Sequence, residues 1–194
     1  MKRLITISLL LISVTLVKAQ SWTVSNAIQG TGNITIIISK ASPAGNVYVL
    51  GYFEGTMEAG TANEATALNN TRDYFVAKFS SETQLMWIKQ LSSTLAVYVY
   101  GGLGVDANDN VYVAGGFRNY IKYSSTDSVF SSGGFDSFLA KYDVDGNPVF
   151  LKTLGTSVKN TRPNSLKVDN TGDLIITGFF TDSVRFDAGQ TLYS

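Results

Sequence analysis

The segment 46–53 reads NVYVLGYF, 110–117 reads NVYVAGGF, and 173–180 reads DLIITGFF. Gly51, Gly115 and Gly178 recur at intervals of 64 and 63, and Phe53, Phe117 and Phe180 keep the same spacing. The rest of the unit holds step. DYFVAKF at 73–79 returns as DSFLAKY at 136–142, again at an interval of 63. MWIKQL at 86–91 returns as VFLKTL at 149–154, which sets Trp87 over Phe150 and Lys89 over Lys152. LGVDAND at 103–109 matches LKVDNTG at 166–172. Register held across four separate segments marks an internal repeat, and a repeat of this length points to a stacked architecture.

Each unit reads as four short strands. In the second they fall at roughly 97–105, 110–117, 136–142 and 148–154, rich in Val, Ile, Tyr and Phe. The breaks DAND, SSGG and DVDGN supply the Asn, Asp and Gly that turns with positive φ need. No segment after the N-terminus carries a 3.6-residue apolar stripe, so the reading is all-β. One four-stranded antiparallel sheet leaves an apolar face open, and repetition at this interval lets each sheet cover the next, as propeller blades do. Val47 and Val49 fall on one face of their strand and Tyr48 and Leu50 on the other, both apolar, as a sandwiched strand requires. Gly51, Gly115 and Gly178 are expected where a side chain would strike neighbouring backbone.

The phrases GNVYVLGYFEGT, DYFVAKF and MWIKQL together resemble the SBBP repeat, the seven-bladed β-propeller repeat of secreted bacterial proteins. The resemblance covers about residues 21–194, with Ser42, Asp173 and Phe150 departing from the usual Asp, Asn and Trp. It implies a partial β-propeller over 20–194: a closing strand near 21–24, blade 1 at about 34–92, blade 2 at about 97–154 and a partial blade 3 at about 164–194. SWTV at 21–24 carries Trp22, which stands close to one repeat interval before Trp87 and so reads as the last strand of a repeat. About two and a half blades make an incomplete propeller, and the remainder of a longer chain is expected to complete it. Leu174, Ile176 and Phe180 are then expected to form an open blade face.

Residues 1–19 read as a signal peptide: Lys2 and Arg3, an apolar run from 4 to 17, and small or branched Val17 and Ala19 before the cut. That run is shorter than the roughly 20 residues a membrane-spanning helix needs, so no membrane span is expected and the protein is expected to be secreted. Cleavage removes three of the 15 basic residues and no acid, leaving 12 against 15, a net charge of −3. Such a chain lacks the footprint of a nucleic-acid binder. The sequence has neither Cys nor His, which excludes Ser-His-Asp, Cys-His and His-ligated metal chemistry.

What remains is weighed residue by residue. Asp143, Asp145 and Asn147 alternate oxygen donors like the start of a calcium loop. Gly146 and Leu154 break the rest of that pattern, and a β-turn is the simpler reading. The glycines of GTG (30–32) and GGLG (101–104) read as linkers between blades. Asp73, Asp106, Asp136 and Asp169 recur with the unit and read as turn-capping scaffold. Glu54, Glu58, Glu64 and Glu82 do not recur, and the first three fall in a long loop between the second and third strands. Lys78, Lys89, Lys141 and Lys152 recur and read as a solvated or edge face. Tyr98, Tyr100, Tyr120 and Tyr123 read as packing between blades, with a sugar platform as the alternative. No catalytic, cofactor or metal site is assigned. The expected function is a non-catalytic extracellular module that binds a protein or glycan. The alternative is a polysaccharide hydrolase or lyase drawing acids from the non-repeated loops.

Overall fold

Five tight turns of one design shape the chain. They begin at Ser42, Ser80, Asp106, Asp143 and Asp169, whose N–H donates to the carbonyl of the fifth residue, while the fourth residue's N–H returns to the first carbonyl. Each fourth residue takes positive φ: Gly45 (84°), Thr83 (64°), Asp109 (63°), Gly146 (79°) and Gly172 (91°). This is the hairpin loop that ends in a left-handed residue. At four of the five, a side-chain oxygen of the first residue pins the loop. Asp143 Oδ1 accepts from the N–H groups of Asp145 and Asn147 at 3.0 and 2.7 Å, and Asp106, Asp169 and Ser80 do the same in their own turns. Thr83 is the strained member, because a β-branched residue at φ 64° crowds its own backbone. Thr83→Gly is expected to raise unfolding stability by about 1 kcal/mol, read as a higher midpoint in thermal or urea denaturation.

The computed structural model describes residues 28–58, 64–67, 72–93, 97–132, 134–154, 160–181, 183–185 and 191–193. The expected signal peptide and the 21–24 strand lie outside the described residues. The described chain is all-β, without a helix. Strands β1 (Gln29–Gly30), β2 (Ile34–Ala41), β3 (Val47–Phe53), β4 (Thr56–Glu58), β5 (Glu64–Thr66), β6 (Asp73–Phe79) and β7 (Leu85–Leu91) precede β8 (Val97–Val105), β9 (Val111–Phe117), β10 (Tyr120–Lys122), β11 (Ser128–Phe130), β12 (Asp136–Tyr142) and β13 (Pro148–Leu154). Then come β14 (Thr161–Val168), β15 (Leu174–Phe180), β16 (Ser183–Arg185) and β17 (Thr191–Tyr193). The main sheets are antiparallel, in the orders β2-β3-β6-β7 and β8-β9-β12-β13, followed by the pair β14-β15.

Each unit also carries a second, smaller hairpin: β4–β5, β10–β11 and β16–β17. They start at 56, 120 and 183, on the same period as the main strands. The stretch that reads as a loop in the sequence is therefore a hairpin. Three-residue strands such as EAT are too short and too polar to show alternation.

The two four-stranded sheets pack face to face. One apolar cluster takes Tyr48, Leu50, Val76 and Trp87 from the first sheet and Val111, Val113, Phe138 and Tyr142 from the second. Another joins Tyr112, Ala114 and Leu139 of the second sheet to Leu166, Leu174 and Ile176 of the β14-β15 pair. Strand β9 is therefore buried along its whole length. The expected open face has the opposite parity. Leu174 and Ile176 pack back onto the second sheet, while Ile175 (51 % exposed) and Phe179 (44 %) face outward. The period of two decides this: Ile175 matches Tyr112, which faces forward along the stack.

Candidate binding surfaces

The four recurring aspartates, Asp73, Asp106, Asp136 and Asp169, accept hydrogen bonds from within the fold. Asp106 also takes hydrogen bonds from Asn110 Nδ2 (2.8 Å) and the Tyr112 hydroxyl (3.2 Å). Burial pushes its carboxyl up, but these donors and the turn amides outweigh that and hold it below its ordinary value. Asp136 accepts from the N–H and hydroxyl of Ser132, and Asp73 from Gln90 Nε2. In DVDGN the Asp143 carboxylate is spent on its own turn, and the Val144 carbonyl accepts from Lys78 Nζ (3.1 Å) and Trp87 Nε1 (3.0 Å) of the first sheet. This turn docks one sheet on the next, and no cluster of three metal-ligating side chains occurs among the described residues.

Two further expectations need correction. The glycines of 101–104 lie inside β8 and Gly30 inside β1, not in linkers, because glycine there admits a neighbouring carbonyl: a Cβ on Gly102 would sit 2.1 Å from the Ala114 oxygen. Lys78 is not on a solvated face. It is 5 % exposed, 3.6 Å from Asp109 Oδ2 and 5.5 Å above the Tyr48 ring. Lys141 is half-buried over Tyr112 at 4.9 Å, Lys89 is half-buried too, and Lys152 is exposed. Period-two parity puts Lys78 on the same face as Tyr74 and Val76, a signal that was legible in the sequence.

The glutamates stay scattered. Glu54 pairs with Arg72 at 3.1 Å, and Glu82 sits exposed in its turn. Glu58 and Glu64 are register partners across the β4–β5 hairpin.

Two surfaces have the shape or chemistry of a binding site. The first is a cleft of about 470 Å3 between β7 and the β10–β11 hairpin, lined by Lys89, Gln90, Lys122, Tyr123 and the hydroxyls of Ser124 to Thr126. A two-way backbone bridge between Ser92 and Lys122 ties the two walls together. Tyr142 lies at its base, and its hydroxyl donates to the Tyr123 carbonyl at 3.1 Å. Burial pushes both phenols above their ordinary values, so they stay protonated donors at neutral pH. Among the described lining residues none is an acid, but the Asp127 carboxylate stands behind the wall and accepts from the Ser124 and Thr126 hydroxyls at 3.1 and 3.3 Å.

The second surface contains two of the four tyrosines named above. Tyr98 and Tyr100 lie parallel, 6.0 Å apart with an 11° interplanar angle, and are 38 % and 47 % exposed. Val97 and Val99 point into the core on the other side of β8, so the period of two forces both rings outward. Tyr123 instead packs on Tyr142 in the core, and Tyr120 packs on Phe130.

No protein-family model matches this chain, and no curated protein matches it. Among the described residues no helix is long and apolar enough to cross a membrane.

Proposed function

We propose that this chain is a secreted β-propeller repeat protein of the SBBP type, whose repeating units are blades and whose role is non-catalytic binding of a protein or glycan outside the cell. The repeated strand order, the repeated outer hairpin and the face-to-face packing of successive sheets support the blade reading. The lining of the 470 Å3 cleft carries the functional reading: among the described residues it offers lysines, an amide and hydroxyls, which bind, while the Asp127 carboxylate beside it is engaged by the Ser124 and Thr126 hydroxyls rather than paired with a second acid. The alternative, a polysaccharide hydrolase or lyase, rests on the register that sets Glu58 opposite Glu64 in the β4–β5 hairpin.

Incubating the full exported chain with a panel of polysaccharides separates the two. Retention in affinity electrophoresis without new reducing or unsaturated ends is the expected result. Product formation that Glu58→Gln abolishes would establish the alternative. Secretion carries its own check, because mass spectrometry of the exported protein should find Gln20 as the first residue. Material that retains Met1 would overturn the leader.

A further inference from the structure

The outward tyrosines belong to a longer row. Arg118 lies over the Phe135 ring at 5.9 Å, Phe135 meets Tyr98 at 5.3 Å, and Tyr98 stacks on Tyr100. Arg162 then lies over Tyr100 at 4.4 Å and over Phe179 at 5.0 Å. The row runs from the second sheet onto the β14-β15 pair, and a guanidinium stands on either side of its three central rings. The ion pairs Arg72–Glu54 and Lys78–Asp109 engage other cations, and no carboxylate among the described residues lies within ion-pair distance of Arg118 or Arg162.

Arg162 is the better prepared of the two. Its fork is wedged between two rings, and Nη1 donates to the Tyr100 hydroxyl at 3.2 Å. With that oxygen accepting, the Tyr100 hydroxyl proton is free to donate elsewhere, and guanidinium and phenol present donors side by side. A stacked guanidinium loses little freedom when a planar anion docks bidentately.

We propose that this row binds an acidic polysaccharide, with carboxylate or sulfate groups held at Arg162–Tyr100 and at Arg118 and sugar hydroxyls along the tyrosine edges. The inference rests on the binding-module reading above and names its ligand class. The ring geometry separates this ligand from others. Arg162 covers one face of Tyr100, and its guanidinium and the phenol beside it offer donors to the oxygens of a ligand. Nucleic-acid bases stack on open ring faces, and Arg162 already occupies one face of Tyr100. Guanidiniums on both sides of three rings call for an extended, repeatedly charged ligand.

Affinity electrophoresis of the full exported chain in gels containing polygalacturonate, dextran sulfate, neutral dextran or oligodeoxythymidylate tests this. At least one acidic polysaccharide should retard the protein and dextran should not. Arg162→Gln and Tyr100→Phe should each weaken retention about tenfold or more, with unchanged melting temperature. Arg162→Lys should restore only part of it, because a point charge lacks the fork. Lys40→Gln, on the exposed edge of β2, should change nothing. Undiminished retention of Arg162→Gln, equal retention by dextran or by oligodeoxythymidylate, or no retention by either acidic polymer would overturn the proposal. Retention lost with Lys122→Gln but kept with Arg162→Gln would also overturn it, yet leave the binding-module reading standing. Polymer cleavage would overturn that reading instead.

Discussion

Asp109→Ala is expected to destabilise the protein by about 3–5 kcal/mol, the usual cost of stranding one member of a buried ion pair. The carboxylate accepts from Asn46 Nδ2 and lies 3.6 Å from Lys78 Nζ, with side-chain exposures of 9 % and 6 % for Asp109 and Lys78. Its backbone oxygen takes the Tyr48 hydroxyl at 2.7 Å. Removing the carboxylate leaves Lys78 with the Val144 carbonyl alone, in a seam of Tyr48, Val76 and Trp87. Chemical denaturation of Asp109→Ala, Lys78→Met and the double variant measures the coupling. The double variant should be more stable than Asp109→Ala, because no charge is then left unpaired.

The same pair sets a pH response. Burial raises the Asp109 carboxyl, but the nearby Ser42 hydroxyl, the hydrogen bond from Asn46 and the ammonium of Lys78 outweigh it and leave the group below its ordinary value. A carboxyl depressed on folding contributes stability above its unfolded value of about 3.9 and loses it as pH falls through the folded value. The stability gap between the native protein and Asp109→Asn should therefore narrow below about pH 4. A gap that stays constant down to about pH 2 would show that Lys78 does not sense this charge.

Gly115→Ala is expected to cost about 2–3 kcal/mol by overpacking. A Cβ there would stand 2.7 Å from Phe138 Cε1, 2.8 Å from the Tyr98 carbonyl oxygen and 2.8 Å from Val99 Cγ2. The Tyr98 oxygen belongs to the neighbouring strand and cannot yield without moving the ladder. A Cβ added to Gly51 or Gly178 would stand 2.4 Å from the Thr35 or Arg162 carbonyl oxygen, so the recurring glycine answers one contact in every unit. Gly172→Ala separates space from conformation: nothing lies within 4 Å of that Cβ, and only its φ of 91° resists. Its loss should be about 1 kcal/mol, set by backbone strain alone. Equal losses at 115 and 172 in urea titrations would remove the steric account.

Much of this was legible because it is local. Alternation with a period of two wrote β3, β9 and β15, and Asp, Ser and Gly at fixed offsets wrote the turns. The recurring glycine foretold a close approach of backbone. The small hairpins escaped because strands of three residues are too short to carry a period, and Gly102 escaped because nothing local marks the carbonyl that a Cβ there would strike. The recurring lysines misled because their repetition does not reveal burial. Lys78 meets Asp109, whereas the position matching Asp109 in the next unit is Gly172, and Lys141 rests on Tyr112 instead.

By itself, then, the sequence determined strands, turns, period and the exclusion of His and Cys chemistry, since each depends on residues near in sequence or on composition. Tertiary structure alone decided which face stays open at Ile175 and Phe179, which lysine is buried, and which arginines and rings form one row. Those outcomes join residues as far apart as Tyr100 and Arg162, and only the stacking of one sheet on the next brings them within contact distance.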